Sequence, residues 1–108
     1  MDVDGVLTDG RVLISAVGHE AKFFSILDGF GLASLRKAGV AIAWISGRPS
    51  PATTTRAEEL GIPHLIQGRN DKLAALQELA AKLSLGAADC AYMGDDIIDV
   101  RTMYLRQR

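Results

Sequence analysis

Two aspartates two residues apart, Asp2 and Asp4, followed directly by Gly5, open the chain in the stretch MDVDGVLTDG. At that offset both side chains project to one side of an extended segment, within reach of one substrate. Two further sets of polar residues end apolar runs: Ser46-Gly47-Arg48 closes VAIAWIS, and Gly94-Asp95-Asp96 closes CAYM. In open parallel sheets, ligands bind beyond the carboxyl ends of the strands. Neighbouring strands would therefore gather a hydroxyl, a guanidinium and up to four carboxylates at one edge. Lys72, at the start of a helix just after HLIQG, points to the same edge. So many like charges repel unless a cation sits among them, and oxygen ligands of this hardness suit magnesium. Lys, Arg and Ser around a carboxylate-bound magnesium ion make a site for a phosphoryl group.

The elements that would hold these residues can be read from periodicity. RVLISAVGHEAKFFSIL reads as two strands around Gly18-His19, a hairpin. DGFGLASLRKAG has helical spacing and a natural stop at Gly39. VAIAWIS is nearly all apolar, as a strand buried on both faces of a parallel sheet should be. SPATTTRAEELG offers Ser50 as N-cap, Pro51 at the first helical position and Gly61 as the end. PHLIQG is a short strand, and NDKLAALQELAAKLSLG is a helix starting at Asn70 or Asp71. DCAYMGDD reads as a further strand, and DDIIDVRTMYLRQR as a last helix. The alternation predicts an α/β fold, a Rossmann-like parallel sheet with the hairpin inserted after the first strand. It forms a single domain over residues 1–108.

Composition limits the alternatives. A length of 108 residues suits one domain with a small core, and 48% hydrophobic residues argue against disorder. Twelve Lys+Arg against thirteen Asp+Glu give a formal charge of −1, so no basic footprint points to nucleic acid or to an anionic membrane. No apolar run approaches the roughly 20 residues of a membrane span, and no signal-peptide pattern is visible. The one cysteine, Cys90, excludes an internal disulfide and fits a reducing compartment. The expectation is a soluble cytoplasmic domain. His19 and His64 lack metal partners at ligand spacing and read as structural, Trp44 reads as core, and Cys90 as a buried small hydrophobe. Asp28-Gly29 reads either as a helix cap or as part of a loop near the site.

DVDGVLTDG, ISGR, NDK and GDDIID, in this order, resemble the four motifs of the haloacid-dehalogenase-like (HAD) phosphohydrolases. With GHEAKFF, LDGFGL, ISGRPS and LGIPHLIQG between them, the chain is similar to the 3-deoxy-D-manno-octulosonate 8-phosphate phosphatases, enzymes of lipopolysaccharide assembly. The likeness runs from Asp2 to about Met103.

The resemblance implies a HAD-like fold without a cap domain and a magnesium-dependent phosphatase acting on a sugar-acid phosphate. It casts Asp2 as the nucleophile that forms an aspartyl-phosphate, and Asp4 as general acid and then base. Gly5 lets the backbone approach the phosphoryl oxygens. Ser46, Gly47 and Arg48 contact phosphate or substrate, and Lys72 neutralises charge on the nucleophile. Asp95 binds magnesium beside Asp2 and the main-chain carbonyl of Asp4, with Asp96 and Asp99 auxiliary.

The hairpin, with Val12, Ile14, Phe23, Phe24 and Ile26, is more apolar than an isolated exposed hairpin should be. Either it folds back on its own domain or, as the resemblance implies and as is expected here, it associates into a homotetramer. Family members carry an apolar strand before the first aspartate and a strand and helix after the fourth motif. The expectation is therefore a chain lacking both. Two alternatives follow: an inactive remnant that only associates with other subunits, or the phosphatase-like portion of an acylneuraminate cytidylyltransferase.

Overall fold

The computed structural model describes residues 1–103. Gly18 takes φ +84°, a region costly for residues with a Cβ, and this permits a tight reversal. Ser15 N–H donates to His19 O at 2.8 Å, and Gly18 N–H to Ser15 O at 2.9 Å. The expected hairpin forms, but its regular part is short: β1 (Leu13–Ile14) runs antiparallel to β2 (Glu20–Ala21), with Leu13 opposite Ala21. Leu13, Ile14, Phe23 and Ile26 remain exposed, Ile26 at 84%.

Helix α1 (Ile26–Lys37) starts two residues before Asp28. Ser25 Oγ accepts the Asp28 N–H at 3.2 Å and so caps the helix. Asp28 is thus neither cap nor loop residue: it lies in the first turn, where its charge favours the helix dipole. Gly29 is buried against Arg56 and Leu60 of the next helix, α2 (Pro51–Leu60), where a Cβ would meet the Arg56 guanidinium. Helix α2 follows its sequence signals. Ser50 caps it, Pro51 opens it, and Gly61 ends it at φ +64°.

β3 (Ala43–Ser46) pairs in parallel with β4 (His64–Gln67), from Ala43 opposite His64 to Ser46 opposite Gln67. Alternation along β3 sends Trp44 to one face and Ile45 to the other, and both are fully buried. Trp44 joins Val3, Leu7, Leu32 and Ala57, with Phe24 stacked on its ring at 6.3 Å between centroids. Ile45 packs on Ala75 and Leu76 of α3 (Lys72–Lys82). Helices thus cover both faces of the sheet, as an all-parallel sheet requires. Asp71 precedes α3, but its side chain makes no cap hydrogen bond; it pairs instead with Arg69 at 2.6 Å.

Met1 and Asp2 are wedged into this layer. Met1 N donates to Ala43 O at 2.8 Å, Ile45 N–H to Met1 O at 2.9 Å, and Asp2 N–H to Met93 O at 2.9 Å. These two residues therefore sit between β3 and the segment Cys90–Met93. That segment was expected to be a strand. It has no regular ladder, because Asp2 is its backbone partner and the pairing ends there. Behind Met1 a largely apolar groove of about 320 Å³ opens between Val40–Ala43 and Cys90–Met93. Cys90 is half-buried, with its thiol 3.5 Å from Gly86 O.

After a 3₁₀ turn at Ile97–Asp99, the last described helix is α4 (Val100–Met103). The rest of the expected terminal helix, residues 104–108, lies outside the described residues. Among the described residues, no helix is long and apolar enough to cross a membrane.

Candidate active site

Asp2 ends the wedge, and the chain turns immediately. The Val3 carbonyl accepts the N–H groups of Val6, Leu7 and Thr8 at 2.8–3.3 Å. This corrects the expectation of an extended segment through Asp4, which instead sits in the turn. Both aspartates nevertheless line one cleft of about 410 Å³, together with Ser46, Gly47, Arg48, Lys72, Asp95 and Asp96. Gly10 and Asn70, neither of them expected as a site residue, line it as well.

Each side chain is delivered by an element whose local logic is plain. Ser46 ends β3, and its hydroxyl donates to Arg48 O at 3.1 Å and accepts Arg48 N–H at 3.3 Å, fixing the turn that follows. Gly47 lies so close to Asn70 that a Cβ would strike the Asn70 side chain. Gly5 has φ +83°, and a Cβ there would run into the Asp95 carboxylate, so the first and last acidic motifs touch across a glycine.

The charges meet at Lys72, the buried first residue of α3. Its ammonium is 2.8 Å from Asp99 Oδ1 and 3.1 Å from Asp2 Oδ1. Burial alone would pull this lysine down, but hydrogen bonds to Asp99 and Asp2 outweigh it and hold the ammonium above its ordinary value. Burial would likewise raise Asp99, yet bonds from Lys72, from the Tyr92 hydroxyl at 2.6 Å and from Asp96 N–H at 3.2 Å keep its carboxyl low. Burial, then the bond to Asp99, pushes the Tyr92 hydroxyl up.

Asp2 behaves differently. Desolvation outweighs its bonds from Val3 N–H at 2.7 Å and from Lys72, and its carboxyl is pushed up to about 6.

One carboxylate oxygen from each of Asp2, Asp95 and Asp99 lies within 4.8 Å of the others. Lys72 compensates Asp2 and Asp99; among the described residues no cation pairs with Asp95. A cluster of hard oxygen donors with negative charge in excess fits a divalent cation such as magnesium. The Asp4 side chain stands outside this cluster. Asp99, expected as an auxiliary acid, is already engaged as the anchor of Lys72.

Two cleft contacts were missed from sequence because they come from the hairpin. Glu20 pairs with the Arg48 guanidinium, and Lys22 with Asp4 at 2.8 Å. Both residues read locally as solvated strand positions, and no local signal distinguishes them.

Helices on both faces of a parallel sheet, with acidic motifs converging at the carboxyl end of β3, define an α/β domain of the HAD-like type. No protein-family model matches the chain. The 3-deoxy-D-manno-octulosonate 8-phosphate phosphatase KdsC of Yersinia pestis is 44% identical over 98 residues, covering 91% of this chain and 52% of that protein. The crystal structure of the Moraxella catarrhalis 3-deoxy-D-manno-octulosonate 8-phosphate phosphatase, in complex with magnesium, phosphate and KDO, superposes with a TM-score of 0.95 at 46% identity. That match covers 97% of this chain and 60% of that one. A probable YrbI family phosphatase of Pseudomonas syringae is 43% identical with a TM-score of 0.92, covering 98% and 68%. The chain belongs to the family of 3-deoxy-D-manno-octulosonate 8-phosphate phosphatases. It spans about half the length of the curated relatives it matches.

Proposed function

We propose that this chain carries the active site of a magnesium-dependent phosphatase that hydrolyses 3-deoxy-D-manno-octulosonate 8-phosphate in lipopolysaccharide precursor synthesis. The observation that carries this reading is the convergence of Asp2, Asp95 and Lys72 with Ser46 and Arg48 on one cleft. Asp2 attacks phosphorus in line and forms an aspartyl-phosphate. Asp4 protonates the leaving sugar oxygen and then activates water. Lys72 offsets charge on Asp2 and the phosphoryl group, Ser46 and the backbone at Gly5 and Gly47 hold phosphoryl oxygens, and Arg48 takes an anionic group of the substrate.

Asp2, Asp95 and the Asp4 carbonyl would hold magnesium, with Asp96 and Asp99 in support; the bound ion would supply charge neutralisation at the phosphoryl oxygens. The substrate reading draws on the relatives, whose names specify that sugar phosphate. Phosphate release from it with magnesium, compared with other sugar phosphates, is the test. A folded chain that releases none would overturn the reading.

Asp2 must be ionised to hold a cation, and burial pushes its carboxyl up to about 6. Below that pH the protonated form excludes the metal, so magnesium affinity is expected to fall about tenfold per pH unit. Calorimetric titration at pH 7 and pH 5 checks this, and equal affinities would contradict it. Gly5→Ala would both strain φ, at about 1–2 kcal/mol, and displace Asp95. At least a tenfold loss of magnesium affinity is expected, about 1.4 kcal/mol.

The exposed apolar hairpin supports self-association. We read it as the contact of a homotetramer, to be measured by native mass spectrometry. The lone Cys90 suits a cytoplasmic setting.

A further inference from the structure

Lys22 directly follows β2, at the base of a largely exposed hairpin, where a lysine would ordinarily be solvated. Its side chain is instead 1% exposed, with the ammonium 2.8 Å from Asp4 Oδ1 and 3.4 Å from Thr53 Oγ1. Thr53, on α2, is equally buried. Freezing a four-carbon stem costs rotamer entropy, and burying an ammonium costs hydration unless both are offset by a specific partner. Here the partner is Asp4, and among the described residues no other side chain bonds to that carboxylate. Glu20, two residues earlier, holds Arg48. The return strand of the hairpin therefore reaches the cleft at two points.

We propose that Lys22 is a positioning residue: its ammonium holds Asp4 Oδ1 and leaves Oδ2 for the cleft that Asp4 lines. The inference rests on the reading of Asp4 as proton donor. As the bond from Asp2 to phosphorus forms, the bond from phosphorus to the sugar oxygen breaks. A proton passes from Asp4 Oδ2 to that oxygen, which leaves as an alcohol, and Asp4 remains as a carboxylate bonded to Lys22. Such a transfer needs the donor oxygen about 3 Å from the leaving atom. A carboxylate free among three χ1 wells meets that requirement only part of the time.

The test compares the full chain with Lys22→Met and Lys22→Arg on two substrates: the sugar phosphate, whose alkoxide needs a proton to leave, and p-nitrophenyl phosphate, whose phenolate does not. Because kcat/KM covers the steps up to departure of the leaving group, Lys22→Met is expected to lower it about 10–100-fold for the sugar phosphate. For the aryl ester it should stay within about threefold, and Lys22→Arg should recover part of the loss. Equal losses on both substrates, or none on either, overturn the proposal. A wild-type chain inert on both substrates defeats the phosphatase reading instead. Crystal structures then decide the present point: Asp4 in a different χ1 well in Lys22→Met supports it, and an unmoved Asp4 overturns it.

Discussion

Asp2→Asn is expected to abolish phosphate release, by about 10⁴-fold or more, because an amide cannot form the acyl-phosphate bond. Folding should survive. In the metal-free protein burial already disfavours the Asp2 carboxylate, raising its pKa from 3.8 to about 6. The folded state therefore binds this proton more readily than the unfolded chain. Between those two pH values the Asp2 contribution to stability falls as pH rises, and the neutral amide should remove that dependence. Thermal melts of both proteins with the metal chelated, at pH 4.5 and pH 7, check the sign. Undiminished turnover in the variant would remove Asp2 as nucleophile; a collapsed melting transition would make it a structural residue first.

Lys72→Met should be the most damaging single change to the fold at this site. Lys72 is the shared counter-charge of Asp2 and Asp99, and all three are buried. Removing one partner of a buried ionic cluster costs about 3–5 kcal/mol, since the remaining charges stay desolvated and uncompensated. That is a large part of the total stability of a small domain. Two signatures separate this from a simple packing defect. Added magnesium should restore more stability to the variant than to the parent, because a cation bound beside Asp2 and Asp95 relieves the same repulsion. Asp99→Asn combined with Lys72→Met should cost less than the sum of the two. Denaturant unfolding of the four proteins measures both, and a Lys72→Met loss below about 0.5 kcal/mol would show that Lys72 is not holding the cluster together.

Legibility in the sequence followed the range of the interactions. Helix α2 could be placed from Ser50, Pro51 and Gly61 alone, because caps and helix stops are settled within a few residues. Trp44 read as core because the nearly unbroken apolar run VAIAWIS is also a local signal, and it is fully buried. The order of the motifs indicated which residues would meet, and Asp2, Ser46, Lys72 and Asp95 do line one cleft. What could not be read was set by distant partners. DCAYM has strand composition, but a ladder needs a neighbour, and its backbone partner is Asp2. Asp4 leaves the extended path because the Val3 carbonyl collects the following amides. Lys22 and Glu20 are ordinary surface types whose burial depends on how the hairpin folds back over the cleft.

The wedge formed by Met1 and Asp2 has a consequence for timing. The backbone behind the proposed nucleophile is pinned by three hydrogen bonds, two to β3 and one to Met93. Any fluctuation that lets Met93 drift away exposes the Asp2 amide to solvent and leaves the backbone under its carboxylate tied to the sheet only through Met1. Deuterium uptake at that single amide would therefore clock how long the assembled rim survives between openings.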